Sequence, residues 1–537
     1  MKKLIIVIIA ACFSSLVFGQ EIPETIVSTK VFSQEFNMIK NKTFTDNIVG
    51  KKIEIENSIT KNSSLLLTEG NYYICQIRFS TDKGFGMIVY FDKLVLPSGS
   101  SIIAYGDNRK QKVGPFYENN NINTNTFALP LIKSNTILVE AKIPISKYTD
   151  FDMTISEIGC IPLSSKGTHD FGDTESCYVN VNCADAEDWQ DQKRAVVKYT
   201  YPSGNDIGIC TGSLINNTAL DKRNFFLSAQ HCAQEASNEE LGQAIFYFNY
   251  ESPDCENPAD DDDLDDETVI GCVRIAASGP IGPLPPNGSD FHLFEINPIP
   301  GSYNVYYAGW NRHDVDALSG PGSIIQHPLA DIKKISFVSG FQQSIITLSD
   351  LEAVITYSPS GSGGAVEGNS SGSGIFDVNK LIVGTVSYGS TGCYDGSFSS
   401  GDGGKFFYHW DKNGTEANRQ LAPWLDPLNT GVMTLEGKNS GGVGIAQLEH
   451  SQSEIIIYPN PANDNIYLEC LTSEKINKVK VLLNNINGTL VFEDDIYLNE
   501  KNVLNKIDIS NLKPGMYFIT ISNLDNQFYK SSKFIKL

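Results

Sequence analysis

The sequence predicts an all-β protein built from several domains, and three observations carry that prediction. From about residue 21 to 437, runs of β-branched and aromatic residues such as Tyr72-Tyr73-Ile74-Cys75-Gln76-Ile77-Arg78-Phe79 and Gly86-Met87-Ile88-Val89-Tyr90-Phe91 alternate with Gly, Asn, Asp and Ser turns. Helical periods are few there, so the runs read as strands rather than helices. From Ile455 onward the style changes to strands punctuated by Asn-Pro and Asn-Gly turns, the pattern of a small β-sandwich. The third observation is length: 537 residues are enough for several cores.

The ends and the composition bound the setting. Lys2 and Lys3 precede an apolar run from Leu4 to Val17 with small residues near its end, the layout of a secretory signal peptide over residues 1–19. Ile9-Ala10-Ala11-Cys12 offers a lipoprotein-type cleavage site as the alternative, but the apolar stretch before Cys12 is short for it. No later segment is long and apolar enough to be a transmembrane helix. Six of the eleven cysteines fall between Cys177 and Cys272 and a seventh is Cys393, which in an exported chain predicts disulfides. The seven histidines are scattered and no Cys-x-x-Cys pair exists, so neither a zinc site nor any other metal or cofactor is expected. A formal charge of -22 argues against nucleic acid as a partner. Much of that charge lies in Asp260, Asp261, Asp262, Asp263, Asp265, Asp266 and Glu267, which read as a solvated loop because they lack calcium-loop spacing.

Residues 21–166 form a β-rich domain without a cluster of chemically useful side chains, read as a propeptide or folding partner, with an independent binding module as the alternative. Chemistry is concentrated in residues 167–437. There Leu227-Ser228-Ala229-Gln230-His231-Cys232 supplies an imidazole, Ser289-Asp290-Phe291-His292-Leu293 supplies a carboxylate at the mouth of a strand, and Asn369-Ser370-Ser371-Gly372-Ser373-Gly374 supplies a glycine-flanked hydroxyl. A serine hydroxyl is a weak nucleophile at neutral pH. It needs an imidazole to take its proton and a carboxylate to fix the imidazole's tautomer. The chain order His231, Asp290, Ser371 is that of the chymotrypsin-like double β-barrel, in which the first barrel carries histidine and aspartate and the second carries serine.

Family resemblance then sharpens both regions. Cys177-x5-Cys183, Cys210-Thr211-Gly212-Ser213-Leu214, Phe226-Leu227-Ser228-Ala229-Gln230-His231-Cys232, Ala308-Gly309-Trp310-Asn311-Arg312, His327-Pro328 and Ala422-Pro423-Trp424-Leu425-Asp426-Pro427, taken in order, resemble the bacterial lysyl endopeptidases over nearly all of residues 167–437. The resemblance implies disulfides joining Cys177 with Cys393, Cys183 with Cys255 and Cys210 with Cys232. It implies an oxyanion hole from the N–H groups of Asn369 and Ser371, and a substrate-pairing strand at Ser387-Tyr388-Gly389. It also implies a lysine-binding carboxylate in the loop after Cys393, at Asp402, with Asp395 as the alternative. Asn369 stands where the family has glycine, Gly374 where it has proline, and Ser387 where some members have histidine. Asparagine tolerates positive φ better than most residues, so the hole is expected to form. Ser362, in Ser360-Gly361-Ser362-Gly363-Gly364, is a decoy that lies too far from the substrate-pairing strand.

Residues 455–537 resemble the C-terminal sorting domain of type IX secretion, on Tyr458-Pro459-Asn460-Pro461, Gly515-Met516-Tyr517-Phe518 and Lys533-Phe534-Ile535-Lys536 in order, with 438–454 as a linker. The resulting expectation is a secreted or surface serine endopeptidase that acts on protein or peptide substrates and uses the type IX machinery as its partner. A catalytically impaired surface binding protein and an endopeptidase with acidic specificity are the rival readings.

Processing follows from the same residues. An enzyme cleaving after lysine is expected to cut its own precursor between Lys166 and Gly167, in a polar stretch just before Cys177. N-terminal sequencing of the mature form from wild type and from Ser371→Ala checks this, and the same mature terminus in both assigns the cut to another protease.

Overall fold

The strands of the two central barrels pair in closed cycles, and that closure builds the frame of the unit that holds them. The computed structural model describes residues 21–27, 47–107, 109, 111–120, 125–163, 171–174, 177–261, 264, 267–279, 288–314, 318, 320–343, 354–359, 366–389, 401–440, 454–458, 462–471, 478–485, 490–497, 505–523 and 529–537. The signal segment 1–19, Lys166, Ser362, Cys393 and Asp395 lie outside the described residues. In the first barrel Val196–Ser203, Asp206–Leu214, Phe225–Ser228 and His292–Ile296 pair in succession, then Cys272–Ala277, Thr268–Ile270 and Ile245–Tyr247 return to Val196–Ser203. Gly271, at φ 86°, breaks what would otherwise be one strand, so that its two halves serve the two neighbours. The second barrel closes in the same way through Gly322–Gln326, Lys334–Gln343, Val354–Pro359, Gly401–Lys405, Ile382–Tyr388 and Gly374–Phe376.

Alternation along these strands fills the interiors. Tyr199, Phe226, Phe246 and Phe294 meet inside the first barrel, with Tyr199 stacked on Phe246 at 5.5 Å and edge-on to Phe226 at 5.3 Å. The second barrel is filled by Ile324, Val338, Ile355, Tyr357, Ile375 and Val386. Trp310 is fully buried between the two, its indole N–H donating to the Asn216 carbonyl at 2.9 Å and its ring stacked on Phe406.

The N-terminal strands are laid onto this frame. Glu24–Val27, Leu65–Glu69, Tyr72–Thr81, Thr136–Pro144, Ser101–Gly106 and Lys112–Tyr117 form one sheet. A second set, Ile48–Thr60, Asp152–Pro162, Phe85–Phe91 and Phe127–Ile132, continues the sheet of the first barrel, because Ile48–Thr60 pairs antiparallel with Asp206–Leu214. One apolar core accordingly holds Val49, Ile88, Tyr90, Ile158 and Cys160 together with Ile207, Ile209, Ile245, Tyr247 and Ile270. Residues up to Ser440 form one compact unit and Gly441–Leu537 a second. In the second unit a three-stranded and a four-stranded sheet enclose Ile466, Val481, Leu483, Ile507, Tyr517, Ile519 and Phe534, the two-sheet sandwich that the turn pattern predicted.

The acidic run departs in part from its reading as a solvated loop. Asp261 is buried, accepts from Lys133 at 2.5 Å and from the Tyr250 hydroxyl at 2.6 Å, and so ties the run to the N-terminal strands. No helix among the described residues is long and apolar enough to cross a membrane.

Candidate active site

A single strand of the first barrel gathers the candidate residues. Asp206–Leu214 carries Cys210, whose disulfide to Cys232 fastens the residue next to His231. One position on, the Thr211 N–H donates to the Ser371 carbonyl at 3.0 Å, which draws the serine loop of the second barrel to the same place. The serine loop needs its glycine. Gly372 sits at φ 85°, and a Cβ there would come within 2.1 Å of Ser228 Oγ and 2.3 Å of the Thr211 carbonyl. The Gly372 N–H donates to the Val386 carbonyl at 2.8 Å and the Val386 N–H to the Ser373 carbonyl at 2.9 Å, so the turn is pinned to the strand Ile382–Tyr388.

His231 and Asp290 form a two-point pair. Asp290 Oδ2 accepts from His231 Nδ1 at 2.8 Å, and Oδ1 accepts from the His231 backbone N–H at 2.9 Å. This fixes both the ring and the peptide that bears it, and it leaves Nε2 as the nitrogen free of the carboxylate. Asp290 is fully buried and held at φ 60°, a conformation that non-glycine residues seldom adopt. Its carbonyl accepts from the Gln230 N–H at 3.2 Å. Burial works against the Asp290 carboxylate, but the charge and hydrogen bond of His231, with help from the Ser387 hydroxyl, outweigh it and hold the carboxyl below its ordinary range. Burial likewise works against the imidazolium of His231, and Asp290 outweighs it, leaving the ring more basic than an ordinary histidine.

Two further histidines surround the pair. His292 is buried and receives a hydrogen bond on Nε2 from Arg274 Nε at 2.9 Å, which makes Nδ1 its protonated nitrogen, directed at the Cys232 carbonyl at 3.3 Å. Burial and the Arg274 charge push it down to about 3. The same guanidinium donates to the carbonyls of Ala233 and Ala236, clamping the chain that follows His231. His409, pushed down to about 3 by burial, lies between the hydroxyls of Ser289 at 2.7 Å and Thr385 at 3.1 Å, behind Asp290. No sequence motif marks Arg274, His292 or His409 for these places, and Thr211 is marked only as part of the Cys210–Leu214 family motif. The one signal for Arg274 and His292 was their place on strands flanking the histidine loop.

The remaining candidates line the second barrel's side. Asn369 takes the positive φ expected of it, 67°, and is fully buried, with its side-chain Nδ2 donating to the Ile209 carbonyl and its own carbonyl accepting from Thr211 Oγ1. Its backbone N–H donates to Asn47 Oδ1 at 3.3 Å, a contact no sequence signal announced. Ser387, Tyr388 and Gly389 end the strand Ile382–Tyr388. A Cβ on Gly389 would come within 2.0 Å of the Val366 carbonyl, so this close approach requires glycine. Asp402 lies on Gly401–Lys405 in register with Tyr388 and Thr356, and accepts from Thr356 Oγ1 at 2.5 Å. The Tyr388 phenol is pushed up to about 12 by burial, then by Asp290 and Asp402, which places it within electrostatic reach of both carboxylates. Of the implied disulfides, Cys183–Cys255 and Cys210–Cys232 are formed; Cys177 is disulfide-bonded, and its expected partner Cys393 lies outside the described residues. Cys75, Cys160 and Cys272, which no pairing placed, are buried free thiols. No group of His, Cys, Asp and Glu among the described residues is arranged to hold a metal ion.

Two closed six-stranded barrels, with an imidazole–carboxylate pair on one and a glycine-flanked serine on the other, define the double-barrel serine-protease class. Comparison with known proteins agrees and is more particular. Residues 171–404 match the family described as lysyl endopeptidase, C-terminal domain, and residues 456–536 match the secretion system C-terminal sorting domain. A lysyl endopeptidase of Pseudomonas aeruginosa is 29% identical over 258 residues, covering 46% of this chain and 53% of that protein. The chain thus spans about half the length of this curated relative. Among solved structures, a thermostable serine protease from an extremophilic microorganism is 11% identical and covers 40% of this chain and 91% of its own, at a TM-score of 0.27. The protease Anisep of Arthrobacter nicotinovorans is 16% identical, covering 40% of this chain and 90% of its own at a TM-score of 0.25. The chain is thus similar to the lysyl endopeptidases over residues 171–404 and to secretion system sorting domains over residues 456–536.

The His231–Asp290 pair is directly measurable. The His231 ring is expected to titrate above the ordinary value of 6.5, since Asp290 favours its charged form. Asp290→Asn is expected to lower that titration, because the neutral amide leaves burial unopposed. Histidine-selective NMR across pH reads both, and an unchanged His231 titration in the variant removes Asp290 as the cause.

Proposed function

We propose that this chain is a secreted serine endopeptidase that cleaves after lysine. The observation that carries the reading is the two-point hold of Asp290 on His231, beside a serine loop that Thr211 ties to the same strand. Ser371 Oγ attacks the scissile carbonyl, and His231 Nε2 takes its proton and returns it to the leaving amine. Asp290 holds the imidazole and stabilises its cation. The N–H groups of Asn369 and Ser371 receive the oxyanion. Because Asp290 makes His231 more basic, the neutral base becomes available only as pH rises through a value above the ordinary 6.5, so kcat/KM rises over that window.

Lysine preference is assigned to Asp402. Its place opposite Tyr388, at the end of the strand Ile382–Tyr388 that also carries Ser387, supports this assignment. Residues 167–437 are the protease domain and 21–166 its propeptide. The sorting domain matched at 456–536 supports export through the type IX machinery to the cell surface or the medium, with protein or peptide substrates met there.

Incubation with a serine-directed fluorophosphonate, followed by peptide mapping, tests the nucleophile. Label is expected on Ser371. Ser371→Ala is expected to lose roughly a millionfold in kcat, while Ser362→Ala retains activity. Label on Ser362 instead overturns the assignment.

Specificity has its own test. A carboxylate facing a substrate ammonium contributes about 1.5 to 3 kcal/mol, so Asp402→Asn is expected to cut kcat/KM for lysine substrates roughly ten- to hundredfold. Cleavage after other residues should be spared. An unchanged preference for lysine removes Asp402 from the pocket.

A further inference from the structure

We infer that residues 47–51 act as an internal blocking strand, an extended peptide that the protease region binds along the edge 206–209 and that must leave before the oxyanion site works. The inference rests on the serine endopeptidase reading. Asp206–Leu214 has one edge paired with Val196–Ser203. Its other edge is shared: Phe225–Ser228 covers Ser213 and Leu214, and the N-terminal strand covers Asp206, Ile207 and Gly208 through Lys51, Gly50 and Ile48. The Ile209 N–H, on the same edge, donates to the Asn47 carbonyl at 2.8 Å. Two residues on, the Thr211 N–H holds the Ser371 carbonyl. Asn47 therefore lies one strand period from the nucleophile, on the edge an extended peptide crossing Ser371 would use.

The side chain of Asn47 completes the block. It is only 4% exposed, and its Oδ1 accepts from the backbone N–H of Asn369 at 3.3 Å, the donor assigned to the oxyanion. A donor already turned to an internal carboxamide is not presented to a substrate oxygen. The contact is built rather than incidental. Gly50 is required where the strand passes the Cys160 carbonyl, since a Cβ there would come within 2.7 Å of it. Lys51 pairs with Asp206, and the Lys52 N–H donates to the Asn205 carbonyl at 2.9 Å.

The test uses the full chain carrying Lys166→Gln, so that it stays uncut, and reads the labelling rate of Ser371 by a fluorophosphonate. In that reaction Ser371 Oγ bonds phosphorus, fluoride leaves, the hydroxyl proton passes to His231, and the phosphoryl oxygen needs the Asn369 N–H. Adding Asn47→Ala is expected to speed labelling about tenfold, the factor one net hydrogen bond is worth. Asn47→Asp, which keeps the acceptor oxygen, should stay as slow as the parent. Lys51→Ala, which loosens the same strand from its solvent side without touching Asn47, should speed labelling about twofold. Equal rates in the parent, Asn47→Ala and Lys51→Ala overturn the blocking strand. Absence of label in every one of these variants, and also in wild-type chain whose N-terminal strands have been digested away after the cut, overturns instead the protease reading on which it rests.

Discussion

The hydrogen-bonding capacity of one strand edge organises this molecule. Each residue of a strand has one donor and one acceptor, and alternate residues aim them to the same side. Along Asp206–Leu214 and just beyond it, the amides of Ile209, Thr211 and Ile215 reach the carbonyls of Asn47, Ser371 and Phe225. Over the seven residues Ile209–Ile215 the edge thus meets the N-terminal strand, the serine loop of the second barrel and the neighbouring strand of the first barrel. Cys210, on the intervening position, adds the covalent tie to Cys232. No single side chain needs to span the cleft, because backbone valence assembles both halves of it.

The electrostatics depend on that backbone frame. A fully buried carboxylate is costly unless its lone pairs are satisfied and an opposite charge stands close. Asp290 meets both conditions chiefly through His231, one oxygen on the ring and one on the backbone N–H, with the Ser387 hydroxyl adding to them. Its positive φ is a local cost that persists because the surroundings over-determine it. The flanking imidazoles of His292 and His409 add no competing cation, since burial keeps both neutral. Of these three imidazoles around Asp290, His231 is the one left able to carry a charge near neutral pH.

What the sequence made legible follows the range of the physics involved. Local geometry was readable in the turn glycine after Ser371 and the positive φ of Asn369, and the Cys210–Cys232 bridge was implied by the family resemblance. The Ala308-Gly309-Trp310 segment was readable as a family mark but not as what it is, the buried indole between the barrels. Partners set by long-range strand pairing were not readable. Nothing in the residues around Asn47 marks it as a neighbour of Asn369, 322 positions away, because a β-strand carries no record of which edge it will join. Asp261 was misjudged for the same reason: in a run of acids, the one that Lys133 and Tyr250 draw inward looks like the rest.

The shared core sets a condition on any activation of this chain. Ile207, Ile209, Ile245, Tyr247 and Ile270 of the first barrel are buried against Val49, Ile88, Tyr90 and Ile158 of the N-terminal strands. Hydrolysis of one peptide bond near Lys166 removes none of that apolar contact, and it leaves the pairing of Ile48–Thr60 with Asp206–Leu214 in place. Cutting and release are therefore separate events, with the second opposed by the full burial of the interface. Release would also bare a strand edge and an apolar face together, a combination that favours rebinding of an extended chain. If the cut at Lys166 and the blocking strand are as proposed, the chain stays latent after the cut until the N-terminal strands are themselves unfolded or digested, and the stability of those strands, not the cut alone, sets when the site opens.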